Sequence, residues 1–157
     1  MKKIRPCLWF DHNIKEAIDF YTSVFKNSKV LNTSYYPQDT PHFGGEILAV
    51  DMEIEDQDFM LLNGGPAFKF NESVSFSIEA NTQDEIDYYW KNLTADGGEE
   101  SQCGWVKDKF GLSWQISPAI LRHLLQEKDA DRAKLVMDAM MKMSKIIIKD
   151  LEEAAKG

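Results

Sequence analysis

The sequence predicts an α+β protein: two copies of a strand–helix–strand–strand–strand (βαβββ) unit, followed by a helical extension. Three observations carry that prediction. The segments "AIDFYTSVF" (17–25) and "EIDYYWKNL" (85–93) match at a constant offset of 68 residues, with "IDFY" and "IDYY" at their centres. Each follows a strand-like run at the same spacing. Each is followed later by a hairpin ending in proline, "FMLLNGGP" (59–66) and "GLSWQISP" (111–118). Repetition of a whole supersecondary unit points to internal duplication.

The elements follow in order. "IRPCLWF" (4–10) is apolar and aromatic and stops at Asp11-His12-Asn13; it reads as a strand with Pro6 near its start, where a missing N–H matters least. Asn13 and Glu16 have capping-box spacing, and Ile14, Ala17, Ile18, Tyr21 and Phe25 then share one helical face. "KVLNTSYY" (29–36) reads as a strand and "PQDTPHFGG" (37–45) as a loop. Strands at 46–54 and 58–63 form a hairpin across Glu55-Asp56-Gln57, and 64–71 is a linker. The second copy opens with a strand at 73–78. A second capping box, Thr82 with Glu85, starts a helix whose apolar face is Ile86, Tyr89, Trp90 and Leu93. The glycine-rich, acidic "ADGGEES" (95–101) makes the next strand short or partly loop. The last hairpin is predicted as strand 103–106, turn 107–111 and strand 112–117, with Gly111 supplying a positive φ. Period two separates Leu112, Trp114 and Ile116, under a helix, from Ser113, Gln115 and Ser117.

Beyond the duplication, Ser117-Pro118 is a helix start with serine as cap, leading into "AILRHLLQE" (119–127). Asp129 or Asp131 starts another helix, and "IKDLEEAAK" (148–156) is a third. Met137, Met140, Met141 and Met143 are read as packing on the sheet or on a partner subunit. The predicted organisation is a duplicated domain over 1–118, with modules of about 1–66 and 67–118, and an extension over 119–157 that packs on the domain or a dimer partner.

Composition narrows the function classes. Apolar residues at 43% and charged residues at 28% are ordinary for a globular chain. A net charge of −8 argues against a nucleic-acid partner, which needs clustered Lys/Arg. The apolar run before Asp11 is too short for a signal peptide or a membrane span. Two cysteines, Cys7 and Cys103, fit neither a disulfide framework nor a CxxC zinc site. A cytoplasmic protein with free thiols and no membrane association is expected.

The runs "PCLWFD" (6–11), "EAIDFYTSVF" (16–25), "LLNGGP" (61–66), "CGWVKDKFGLSWQISP" (103–118) and "AMMKMSKI" (139–146) resemble PhnB-like proteins. That group belongs to the glyoxalase/bleomycin-resistance, or vicinal oxygen chelate, superfamily and is often labelled 3-demethylubiquinone-9 3-methyltransferase. The resemblance implies mixed sheets curving around a cleft, homodimers, and in many members a divalent metal held by His/Glu on the first and last strands of each module.

Tested on this chain, the four ligand positions fall at Pro6 or Cys7, Val74 or Ser75, Asn63 and Gln115, none of them a histidine or carboxylate. The usual metal site, and with it the superfamily's metal chemistry, is expected to be absent, and no cofactor is expected; a GxGxxG cofactor loop is also missing. His12, His42 and His123 do not supply the ligands, although His42 in "TPHFGG" is placed to act in a lid as well as in an ordinary loop. The favoured expectation is a protein that binds a small molecule, its identity not given by the sequence, in a cleft lined by Trp9, Phe59, Leu61, Asn63, Phe76, Trp105 and Gln115, with His42 nearby. The first alternative is a metal-dependent lyase, isomerase or dioxygenase using Glu46, Asp51, Glu53 or His42. Weaker alternatives are a methyltransferase, as the label suggests, and a structural protein dimerising through the Met-rich tail.

Overall fold

The computed structural model describes residues 2–126 and 129–157. The chain divides into two units, Met1–Lys69 and Phe70–Gly157.

The first unit contains β1 (Cys7–Phe10), α1 (Ile14–Val24), β2 (Ser28–Tyr35), β3 (Ile47–Ile54) and β4 (Gln57–Asn63). Its sheet has the order β1-β4-β3-β2, with β1 and β4 parallel and the other pairs antiparallel. The β3–β4 turn places Glu55 and Asp56 at φ 46° and 61°, the two left-handed positions that match the twist of a tight hairpin. In-register neighbours share a face, so Leu8, Phe10, Val50, Met52, Phe59 and Leu61 form one side of the sheet. Against that side α1 buries Ile14, Ala17, Tyr21 and Val24. Each such aliphatic or aromatic side chain stabilises the fold by about 1.5–3 kcal/mol on burial.

The second unit repeats the plan with β5 (Ser75–Glu79), α2 (Gln83–Leu93), β6 (Glu99–Glu100), β7 (Trp105–Lys107) and β8 (Ser113–Ser117). Its order is β5-β8-β7-β6, again with the first and last strands parallel. The chain is therefore two βαβββ modules with helices added. Ile86, Trp90 and Leu93 of α2 bury against the side that carries Val106, Trp114 and Ile116. The segment after α2 is a 3₁₀ turn, Ala95–Gly97, before the two-residue β6, in line with its glycine-rich sequence.

The tail forms α3 (Ala119–Leu125), α4 (Ala130–Met140) and α5 (Ile148–Ala154). The expected extension of α3 to Glu127 lies outside the described residues. Within the second unit the Cys103 and Gly104 amides donate to Met143 O and Ser144 O at 2.8 and 2.7 Å, and Gln83 exchanges bonds with Ile146 O and the Ile148 amide. Ile146 and Leu151 are fully buried there. None of the described helices is long and apolar enough to cross a membrane.

Three local expectations are corrected. The Thr82–Glu85 capping box forms as predicted, but Asn13 and Glu16 form none. His12 adopts φ 58°, and the Asn13 side chain turns back to accept the Asp11 amide at 3.1 Å. Ser117 does not cap α3, because it belongs to β8; the Asn81 side chain accepts the Ala119 amide instead, at 2.9 Å. Cys103 and Gly104 do not begin a strand: both have positive φ, and β7 starts at Trp105.

Candidate functional site

Each sheet has one side covered by its helix and one open side, and sheet register decides which residues lie on which. In the first unit, Cys7, Trp9, Ala49, Asp51, Glu53, Met60 and Leu62 lie opposite the α1 side. In the second, Ser75 and Ser77 pair with Ser113 and Gln115, and Gln115 pairs with Trp105; these lie opposite the α2 side.

The register moves four predicted site residues to the other side. Phe59 and Leu61 are 3% and 0% exposed under α1 and belong to the core. Phe76 pairs with Trp114 and packs on its ring at 5.5 Å, on the α2 side. Asn63 also lies on the α1 side, at the end of β4. The physical reason is that β4 is apolar on both sides, so alternation alone does not say which side meets the helix.

The same register shifts the repeat by one residue. Leu62 pairs with Trp9 and Gln115 pairs with Ser77, each two residues beyond the first pair of its parallel ladder, so Leu62 and not Asn63 is the counterpart of Gln115. The open-side positions are therefore Cys7 and Leu62 in one module and Ser75 and Gln115 in the other. A thiol, an aliphatic chain, a hydroxyl and an amide do not fit a divalent oxygen-chelate centre. Desolvation pushes the Cys7 thiol above its ordinary 9.0, outweighing the opposing pull of Arg5, which disfavours the thiolate a metal would need.

The alternative carboxylates are already engaged. Arg5 pairs with Asp51 at 2.7 Å, and Lys29 pairs with Glu53 at 2.7 Å. Glu46 Oε2 receives the Asn63 side-chain amide at 3.0 Å and lies 2.9 Å from His12 Nδ1. The hydrogen bond from His12, and then that from Asn63, hold the Glu46 carboxyl below its ordinary 4.5. No cluster of three or more His, Cys, Asp or Glu suited to a metal occurs among the described residues.

Asn63 instead organises the end of the first sheet. Its side-chain oxygen accepts the His12 amide at 2.9 Å, its amide also donates to Ile47 O, and its carbonyl accepts the Tyr36 hydroxyl at 2.8 Å. Phe43 stacks on the His12 ring at 4.5 Å and meets Tyr36 at 4.7 Å. Loop 37–46 is thus pinned to its module by Phe43 and Glu46, while His42 is exposed at φ 67°. Trp9 is also anchored: its indole donates to Gly65 O at 2.7 Å, and a Cβ on Gly64 would stand 2.3 Å from its ring.

In the second module, Trp105 and Gln115 face each other directly across β7 and β8, and the Gln115 amide donates to Ser75 Oγ at 2.9 Å. The sequence reasoning missed Asp108 between these strands. Its buried carboxylate accepts the Phe110 and Leu112 amides through Oδ1 and the Trp114 indole through Oδ2 at 3.0 Å. With Gly111 at φ 86° it builds the turn, and an aspartate three residues before a glycine was the available signal.

The 3-demethylubiquinone-9 3-methyltransferase family model matches residues 2–117, most of the 157-residue chain. The chain belongs to this family. Its PhnB-like modules match the Bacillus cereus PhnB protein, named for a 3-demethylubiquinone-9 3-methyltransferase, at 28% identity and a TM-score of 0.68, covering 75% of this chain and 100% of that one. Protein PA1353 from Pseudomonas aeruginosa matches at 19% identity and 0.59, covering 75% and 98%. A mutant of the fosfomycin resistance protein FosX from Listeria monocytogenes, complexed with Mn(II) and 1S,2S-dihydroxypropylphosphonic acid, matches at 15% and 0.56, covering 80% and 100%. The last two establish the fold alone. No curated protein matches the chain. The PhnB-like match ends at Ser117, so α3–α5 lie outside it.

Proposed function

We propose that this PhnB-like protein binds a small molecule on the open side of its second sheet, without the metal used by many oxygen-chelate relatives. The observation that supports this reading most strongly is the trio of Trp105, Gln115 and Ser75: an aromatic wall directly opposite an amide already oriented by a hydroxyl. Aromatic area supplies affinity, and a few fixed polar groups supply orientation. Trp9, Asn63 and Phe43 shape the first module, and Phe59 and Phe76 support the two sheets from the helix side. The protein is proposed to act as a homodimer.

A metal-dependent reading is less well supported, because Asp51, Glu53 and Glu46 each already have a basic partner. The test is a thermal-shift ligand screen run with and without chelator. A ligand at one hundred times its dissociation constant stabilises the fold by about 2.7 kcal/mol. Stabilisation that persists in chelator and is lost in Gln115→Ala supports the reading. Stabilisation that appears only after a divalent metal is added contradicts it.

A further inference from the structure

The second module has a cleft of about 110 Å³, partly open to solvent, lined by Glu72, Glu99, Glu100, Trp105, Lys107 and Ser113 among others. A water molecule's share of liquid volume is about 30 Å³, so the cleft has room for a group of several heavy atoms. Ser113 is 1% exposed, and its hydroxyl has no hydrogen-bond partner among the described residues. A buried, unpaired hydroxyl is costly, and one lining a cleft of this size is placed to meet a polar guest.

Charge narrows the guest's chemistry. Two carboxylates, Glu72 and Glu99, stand beside a single ammonium, that of Lys107, which is ion-paired to Glu72. The surplus is negative, so an anion is disfavoured. A divalent metal is not favoured either, because these carboxylates do not gather into a metal-binding cluster. Dispersed carboxylates beside an indole face suit a cation larger and softer than a metal ion. Glu100, in register with Val106, turns to the α2 side, where it accepts the Trp90 indole at 2.9 Å and supplies no charge to the guest.

We propose that this cleft is a binding site for a small organic ammonium, with Trp105 as its aromatic wall, Ser113 as the acceptor for its N–H, and Glu72 and Glu99 as its counter-charge. The proposal rests on the small-molecule reading above and names the class of ligand for that side of the sheet. The incoming ammonium competes with Lys107 for Glu72, so the site is occupied by the protein's own cation until a ligand arrives.

The test titrates the full chain with propylammonium, propionate and 1-propanol while following the tryptophan indole signals by heteronuclear NMR. Propylammonium is expected to shift the Trp105 signal saturably and leave Trp9 unmoved, with neither control doing so. Glu99→Gln and Ser113→Ala are each expected to weaken binding about tenfold, the scale of one desolvated cation–π or charge-assisted contact. Ser113→Ala is also expected to leave the free protein at least as stable as the parent, since it removes a hydroxyl that lacks a partner; a purely structural serine would lower stability and leave binding unchanged. Saturable shifts with propionate or propanol equal to those with propylammonium overturn the ammonium assignment while leaving a small-molecule site in place. Failure of all three probes to saturate overturns the assignment as well, and the ligand screen then decides the broader reading separately.

Discussion

Leu62 and Gln115 occupy the same place in the two modules, each paired in parallel register two residues beyond the start of its ladder. One is aliphatic and the other an amide, so the duplicated sheets have diverged on their open sides while keeping apolar cores under α1 and α2. The proposed binding surface lies on the second sheet. Gln115→Ala removes the bond to Ser75 and is expected to cost about 1 kcal/mol in urea denaturation, with the fold retained. Leu62→Ala is expected to leave ligand-induced stabilisation unchanged.

Asn63 is a structural hub. It is 1% exposed, and its side chain serves the His12 amide, Glu46 and Ile47. Asn63→Ala takes a partner from the His12 amide and from Ile47 O, and chemical denaturation is expected to show a loss of about 2 kcal/mol. Asn63→Asp replaces a donor to Glu46 with a second carboxylate. It is expected to be the more damaging change at neutral pH and to recover partly on acidification.

The Glu46 interaction also sets a pH dependence. Its folded-state carboxyl lies below the ordinary value of 4.5, chiefly through the His12 hydrogen bond. A depressed carboxyl contributes stability that is fully present above the unfolded value and is lost as pH falls through the folded one. Thermal melts through and below pH 4.5 should show a slope that Glu46→Gln reduces; an identical slope in the variant would remove Glu46 as its source.

Asp108 holds the last hairpin together from inside. Asp108→Ala forfeits two backbone contacts and the Trp114 indole contact around a buried carboxylate, with an expected loss of about 3 kcal/mol. Trp114→Phe removes the indole donor together with buried ring volume but keeps the two backbone contacts, and should cost less.

Much of this was legible in the sequence where residue type and geometry agreed. Leu112, Trp114 and Ile116 alternate with Ser113, Gln115 and Ser117, so polarity itself declares which side of β8 meets α2. Thr82 and Glu85 declare their helix start in the same way. In β4 both alternating sets are apolar, so Phe59, Leu61 and Asn63 were open to assignment on either side, and only pairing with β1 and β3 decides it. At Asn13 the local pattern was right for a cap, but the positive φ of His12 turned the side chain away. Asp108 was hidden because a Lys-Asp-Lys run reads as surface charge, while its burial depends on Trp114 six residues later.

The central claim is that ligand binding belongs to the open side of the second sheet and needs no metal. Its most direct test is a titration, in the presence of chelator, of a ligand found by the thermal-shift screen, comparing the parent chain with Trp105→Ala and following heat release. The account predicts saturable binding to the chelated parent and a loss of about tenfold or more in Trp105→Ala. Binding that vanishes on chelation, returns with added Mn(II) or Zn(II), and is indifferent to Trp105 would contradict it.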